Sequence, residues 1–119
     1  WTNFSKNLNK HKNNIEYVHL NIYKDSWDII PDVDVVFIDA GHSYQMCKSD
    51  MYNSIRNFKN LKYIIFDDYG VGLFPGVKQY VDEFIMENNF EIVPVGLEKG
   101  KMFKSGERLV DSEGLMVKL

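Results

Sequence analysis

The sequence contains a single cysteine, Cys47, so an internal disulfide is excluded. A lone cysteine within a helical pattern fits a small buried residue and a reducing, cytoplasmic compartment. No apolar run approaches the roughly 20 residues that a membrane-spanning helix needs. The first ten residues are polar and do not resemble a signal peptide. We therefore expect neither a disulfide-stabilised fold nor membrane association.

Clustered positive charge is also absent. The net charge is −3, and the 14 basic residues, mostly lysines, are scattered along the chain. This distribution offers no basic surface for nucleic acid and leaves a small molecule as the expected partner. The oligomeric state is not indicated. The 119 residues suffice for one hydrophobic core, and the start at Trp1 in mid-pattern suggests a single partial domain over residues 1–119 that belongs to a longer protein.

Two apolar runs that end in aspartate are the most informative feature of the sequence. Residues 35–38 are followed by Asp39, and residues 63–66 are followed by Asp67 and Asp68. Continuous apolar runs are typical of strands covered on both faces in a parallel sheet. Ligands of such sheets bind beyond the carboxyl ends of the strands, and clustered carboxylates repel unless a cation lies among them. The pattern predicts a divalent metal site, although aspartates at these points could also simply cap the following turns.

Alternating strand and helix patterns predict an α/β fold with a doubly wound, mostly parallel sheet that ends in an antiparallel strand pair. The helix that starts at Ser43 is expected to bury Tyr44, Cys47, Met51, Ile55 and Phe58 on one face. The predicted helices cover residues 2–13, a short turn over 25–30, and segments starting at Ser43 and Pro75. The predicted strands cover residues 15–20, 33–39, 62–66, 90–95 and 114–119, with a short additional strand at Met102 and Phe103.

The runs at residues 34–44, 64–70 and 75–78 resemble the class I methyltransferases that use S-adenosylmethionine. The resemblance is closest to the metal-dependent O-methyltransferases that include the macrocin O-methyltransferase-like enzymes. It implies a Rossmann-like domain that here lacks the N-terminal strands of the family. It also implies that Asp39, Asp67 and Asp68 hold Mg²⁺ or Mn²⁺, which grips neighbouring hydroxyls of a sugar or another small hydroxylated acceptor.

The resemblance also suggests cofactor contacts. Asp25, Ser26 and Trp27 follow the third strand of the family pattern and are expected to contact the adenine. Asp39 and His42 are also expected to bind the cofactor. The opposing interpretation is a turn cap beside a core aromatic residue. The glycine-rich cofactor loop and the acidic ribose ligand of the family would both precede Trp1. We therefore expect no S-adenosylmethionine binding by residues 1–119 alone.

The general base is not identified by the pattern. Some sugar enzymes of this group carry a catalytic aspartate at the position of Gly41, so His42 and Asp39 become the candidate catalytic residues. His42 could instead only fix its loop through hydrogen bonds. Alternative functions are an inactive or partial Rossmann-like domain, or a metal-dependent hydrolase or hydroxylase on a similar scaffold. A phospho-receiver is disfavoured because its acidic pair precedes its single aspartate in sequence.

Overall fold

The computed structural model describes residues 14–102 and 106–119, which form a small α/β fold with four strands and two helices. The predicted helix over residues 2–13 lies outside the described residues. Within them, no helix is both long enough and apolar enough to cross a membrane. The elements in chain order are β1 (Val35–Ile38), α1 (Tyr44–Asn57), β2 (Tyr63–Phe66), α2 (Pro75–Asn88), β3 (Glu91–Val95) and β4 (Gly114–Lys118).

The four strands form one mixed sheet in the order β1-β2-β4-β3. β1 and β2 are parallel, whereas β4 lies between β2 and β3 and runs antiparallel to both. The antiparallel closing pair predicted from the sequence is therefore confirmed. The sheet is not mostly parallel, because only one of its three strand pairs is parallel.

Both helices pack on one face of this sheet and on each other. Ser43 is the N-cap of α1, and its Oγ accepts a hydrogen bond from the Met46 N–H at 3.3 Å. Pro75 begins α2, at a position where its missing N–H costs nothing. Among the described residues the opposite face carries no helix, so the two-sided cover of a doubly wound fold is not seen there. The shared core comprises Ile38, Cys47, Met51, Ile64, Phe66, Tyr69, Val77, Tyr80, Val81, Phe84, Leu115 and Val117.

The buried face of α1 differs in one respect from the prediction. Ile55 is 44% exposed, while Asp50 and Ser54 are buried together with Cys47 and Met51. The hydroxyl of Ser54 donates a 2.7 Å hydrogen bond to the Asp50 carbonyl, so this small polar residue is buried without an unpaired group. The buried face of α1 is therefore rotated slightly from the face that apolar spacing predicts.

The predicted strand over residues 15–20 is wrong. This segment has no regular structure, residues 15–19 are exposed, and it is not part of the described sheet. Its β-branched and aromatic residues favour a strand only where a neighbouring strand and an apolar layer receive them. The short helical turn predicted over residues 25–30 is present as a turn, in which the Ile30 N–H donates a 2.9 Å hydrogen bond to the Trp27 carbonyl. Met102 makes only an isolated bridge with Arg108, and Phe103 lies outside the described residues.

Candidate metal centre

The candidate site lies where β1 and β2 end side by side. Ile38 pairs with Phe66 in the parallel register, so Asp39 and the Asp67–Asp68 pair leave the sheet at the same edge. The Asp67 N–H donates a 3.0 Å hydrogen bond to the Ile38 carbonyl and extends the ladder to the start of the loop. The two strand ends are thus brought together as the apolar runs predicted.

Three side chains from two adjacent loops offer ligand atoms at this edge. One atom each from Asp39, His42 and Asp68 lies within 4.8 Å of the others. The Nε2 atom of His42 is 2.8 Å from Asp68 Oδ2 and 3.9 Å from Asp39 Oδ1. Asp67 is not a member of this group. The structure therefore brings together two of the three expected carboxylates, and His42 stands as the third member.

The imidazole of His42 stacks on an aromatic ring, while its Nε2 atom has no well-aligned hydrogen-bond partner. Its ring stacks on Phe74, with centroids 4.1 Å apart and an interplanar angle of 23°. Its Nε2 atom is buried and makes no well-aligned hydrogen bond, despite its short distance to Asp68. A buried nitrogen without an aligned partner is a donor atom that a cation could use.

The backbone around the site is closely fitted. Asp68 has a left-handed conformation, with φ of 56°, which is uncommon for a residue with a Cβ and is concentrated at functional sites. A Cβ added at Gly76 would lie 2.5 Å from the Tyr44 nitrogen and 3.1 Å from the His42 carbonyl oxygen. Only glycine therefore allows the first turn of α2 to lie against the loop that carries His42.

Burial, followed by repulsion among neighbouring carboxylates, determines the electrostatics of the site. Burial is the main cause that raises the pKa of Asp67, followed by the charges of Asp68, Asp39 and Glu113. Burial also raises the pKa of Asp68, assisted by Asp39 and Glu113 and opposed by His42. A nearby cation stabilises the charged form of carboxylates whose pKa is raised in this way.

Glu113 is a fourth acidic group that the sequence patterns did not identify. It directly precedes β4, and the antiparallel register pairs Leu115 with Phe66, so the start of β4 lies beside the end of β2. The Gly70 N–H donates a hydrogen bond to the Glu113 carbonyl at 3.3 Å. The Oε2 atom of Glu113 accepts a hydrogen bond from the Leu97 N–H at 3.0 Å. The position becomes recognisable only once β4 is known to pair with β2.

The nearby lysine does not neutralise the candidate site. Lys78 Nζ lies 2.9 Å from Asp111, 3.0 Å from Asp82 and 2.9 Å from the Tyr69 hydroxyl. Burial alone would lower the Lys78 pKa, but its hydrogen bonds to Tyr69, Asp111 and Asp82 raise it overall. The Tyr69 hydroxyl in turn donates to Asp82 at 2.6 Å. This network holds the loop after β2 against α2. The positive charge of Lys78 is balanced by Asp82 and Asp111 within the network.

The residues expected to contact a cofactor have local partners. Asp25 accepts the Asn21 N–H at 2.6 Å, and Ser26 accepts the Asp28 N–H at 3.3 Å. The indole N–H of Trp27 donates to the Ile22 carbonyl at 3.1 Å, and its ring lies 5.8 Å from that of Phe58. These contacts fit the turn cap and the packed aromatic residue that formed the alternative interpretation.

Of these three residues, only Trp27 lines a cavity together with Asp39. That cavity measures about 240 Å³. Asp25 and Ser26 line a different cavity of about 260 Å³, which Trp27 also borders. The structure therefore brings Trp27, but neither Asp25 nor Ser26, to the same cavity as Asp39.

Comparison with known proteins leaves the site to be interpreted from its own geometry. No family model, no curated protein and no solved structure matches this chain.

The donor set fits a divalent cation. Two carboxylates and one imidazole supply oxygen and nitrogen ligands from two adjacent loops. Carboxylates suit Mg²⁺ and Mn²⁺, whereas imidazole suits transition metals such as Fe, Ni and Zn. A set that combines the two favours Mn²⁺ over Mg²⁺.

Proposed function

We propose that this chain belongs to a divalent-metal-assisted O-methyltransferase that uses S-adenosylmethionine and acts on a sugar or another small hydroxylated acceptor. The observation that carries the proposal is the meeting of Asp39, His42 and Asp68 at the carboxyl ends of two parallel strands. An antiparallel strand inserted beside β2 closes the sheet, as it does in the Rossmann-like methyltransferases that the sequence resembles. Both features agree with the family pattern of residues 34–44 and 64–70.

Each acidic residue has a proposed role. Asp39 and Asp68 would hold the cation, and Asp67 would add negative charge beside them. When bound, a divalent cation lowers the pKa of a coordinated hydroxyl and fixes its position. Asp68 is largely buried, with a side chain 12% exposed, and would act as the rigid ligand. Asp39, whose side chain is 51% exposed, would remain accessible to an arriving acceptor.

His42 and Asp39 are the proposed proton-handling groups. Imidazole is a common general base in enzymes, and Nε2 of His42 points between the two carboxylates. The stacked Phe74 ring keeps the imidazole in this orientation. For the cofactor we retain Asp25, Ser26, Trp27, Asp39 and His42 as proposed contacts, and the cavity shared by Trp27 and Asp39 supports that pair.

A metal-dependent hydrolase is the second candidate. The observation that favours it is the imidazole within the ligand group, because mixed imidazole and carboxylate sets are typical of sites that activate water on a transition metal. Such an enzyme would need no methyl donor, so activity measured with and without S-adenosylmethionine distinguishes the two candidate functions.

The test is methyl transfer from labelled S-adenosylmethionine by the full-length protein, with catechol and a sugar bearing neighbouring free hydroxyls as acceptors. We expect transfer to stop in EDTA and to return with Mn²⁺. Asp68→Asn should abolish transfer, whereas Asp34→Asn, an exposed carboxylate paired with Lys62, should retain it. Turnover that continues in EDTA would refute the metal role. Hydrolysis of a phosphate ester without the methyl donor would favour the second candidate.

A further inference from the structure

The loop between β1 and α1 carries two of the three candidate ligands and is closely packed around Gly41. This glycine lies between Asp39 and His42 in the sequence. A Cβ added at Gly41 would lie 2.6 Å from the Cβ and Sδ atoms of Met46 and 2.8 Å from the Tyr23 hydroxyl oxygen. A larger residue would therefore shift the loop, and with it the separation of the two ligands.

The N–H group of Gly41 needs an acceptor that the backbone does not supply. No backbone carbonyl of the described residues accepts a hydrogen bond from it. Gly41 is only partly exposed, and a shielded N–H without an acceptor is costly. An acceptor for this group has to come from a side chain or from solvent.

Asp50 is the acidic side chain beside this N–H. It lies on α1, is 3% exposed and borders the same cavity as Asp39 and Ala40. The Gly41 N–H and the Tyr23 hydroxyl approach its carboxylate, although neither makes a well-aligned hydrogen bond. Burial raises the pKa of Asp50 to about 6, and these two donors oppose the rise because they stabilise the charged form.

Packing alone does not account for a carboxylate at this position. The neighbouring buried residues of α1, Cys47 and Met51, fill the same face without a charge. Burial of a carboxylate costs stability, which an apolar residue at position 50 would avoid. The property that Asp50 adds is an acceptor directed at the loop between β1 and α1.

Asp39 is the candidate ligand that depends most on its loop. The ring of His42 is held by stacking on Phe74, and Asp68 lies in a left-handed turn that fixes its direction. The side chain of Asp39 is 51% exposed, and in the described part of the chain its one ion-pair contact is His42, at 3.9 Å. The position of Asp39 therefore depends on the backbone that it shares with Gly41.

We propose that Asp50 is a positioning residue of the candidate metal centre: its carboxylate attracts the Gly41 N–H and thereby fixes the loop that carries two of the ligands. Asp50 would not contact the cation, and the Tyr23 hydroxyl would hold the carboxylate in place. Outer partners of this kind orient metal ligands and contribute to metal affinity. The inference rests on the metal site of the proposed function, and it applies to methyl transfer and to hydrolysis alike.

The first test measures Mn²⁺ binding to the full-length protein by electron paramagnetic resonance, with no methyl donor or acceptor present. Asp50→Ala should weaken the affinity by about tenfold, as loss of an outer partner does. Asp50→Asn keeps a side-chain carbonyl that can accept from the Gly41 N–H, so it should restore most of the affinity. Because no cofactor is present, a direct contact between Asp50 and the cofactor would not produce this pattern.

Ser54→Ala is the matched control for Asp50→Ala. Ser54 is buried on the same helix and borders the same cavity, but its hydroxyl bonds within α1 and not to the loop. Its removal should leave the Mn²⁺ affinity unchanged. Urea unfolding of each variant establishes that the compared proteins are folded.

Amide hydrogen exchange, followed by nuclear magnetic resonance without metal, gives a measurement that does not depend on the cation. The Gly41 N–H should exchange severalfold faster in Asp50→Ala than in the unaltered protein. The Asp67 N–H, which bonds to the Ile38 carbonyl, should exchange equally in both. This contrast separates local release of the loop from general loosening of the fold.

Three results would overturn the proposal. The first is an unchanged Mn²⁺ affinity in folded Asp50→Ala. The second is an equal loss of affinity in Asp50→Asn and Asp50→Ala, which would mean that the charge of Asp50 acts on the cation. The third, measured on the unaltered protein, is exchange of the Gly41 N–H as fast as that of an unprotected amide. Absence of Mn²⁺ binding by the unaltered protein would instead refute the metal role in the proposed function, and this inference with it.

Discussion

Nε2 of His42 lies 2.8 Å from Oδ2 of Asp68, although the two residues follow different strands. The contact depends on the parallel register of β1 and β2 and on the left-handed backbone of Asp68. Because both loops are fixed by neighbouring elements, the ligand atoms are held close together before any ligand arrives. Preorganisation of this kind reduces the cost of binding.

Asp68→Asn should weaken Mn²⁺ affinity by about tenfold or more. Loss of a residue that only hydrogen-bonds to a metal ligand already costs about tenfold or more in affinity, and Asp68 is a charged ligand itself. Asparagine tolerates the left-handed conformation, so the turn is preserved. Titration followed by electron paramagnetic resonance measures the free Mn²⁺. Asp34→Asn removes the same charge from an exposed pair with Lys62 and should bind as the unaltered chain does. Equal affinities in both variants would exclude Asp68 as a ligand.

Asp50→Asn should stabilise the chain above pH 6. The folded-state pKa of Asp50 is about 6, compared with an ordinary value of 3.8. Between these values the folded state binds more protons than the unfolded state, so stability falls as the pH rises through this window. The variant removes that loss and should gain about 1–2 kcal/mol at pH 7.5, with the difference vanishing near pH 4.

Urea unfolding of both proteins at several pH values provides the measurement for Asp50. Glu87→Gln, an exposed acid on α2, serves as the control and should follow the unaltered chain. A constant difference between Asp50→Asn and the unaltered chain across pH 4–8 would contradict the assigned pKa shift.

Gly76→Ala should destabilise the chain by about 1–3 kcal/mol, the usual cost of overpacking. The new Cβ would meet the backbone at Tyr44 and His42, which cannot move without displacing the site. Gly72→Ala is the matched control, because its Cβ would meet no backbone atom and only the end of the Glu107 side chain, at 2.6 Å. Thermal unfolding compares the melting temperatures of the two variants. Equal melting temperatures would show that the loop carrying His42 shifts to accommodate the added Cβ at little cost in stability.

Lys78→Met should cost about 1–3 kcal/mol, since it leaves Asp82 and Asp111 without their cation in a partly buried setting. Lys62→Met removes a lysine whose ion pair with Asp34 is exposed, and it should cost less than about 1 kcal/mol. Denaturant unfolding compares the two. A cost for Lys78→Met no larger than that for Lys62→Met would mean that the network around Tyr69 adds little stability.

Local signals explain which parts of the fold could be predicted from the sequence. The Ser43 cap, the Pro75 start and the apolar runs before Asp39 and Asp67 all mark element boundaries through residue chemistry alone. Their locations are confirmed to within one or two residues. The approach of Asp39 to Asp68 follows because parallel neighbours end at one edge.

The remaining features depend on which elements meet. Residues 15–20 have strand-like side chains but pair with none of the described strands. Ser54 is buried because its hydroxyl bonds within its own helix, which apolar spacing does not reveal. The charge of Glu113 acts on Asp67 and Asp68 because the antiparallel pairing of β4 with β2 brings it near them. His42 joins the ligand group through loop geometry that spacing alone does not specify.

The strand order has a consequence for how the sheet opens. β2 is hydrogen-bonded on both sides, whereas β1 is bonded on one side in the described residues, so amide protons of β1 should exchange with solvent sooner than those of β2. Asp39 follows the looser strand and Asp68 the more protected one. A cation shared by them would clamp the outer strand to the inner one, and occupancy of the site would be readable as slowed exchange along β1.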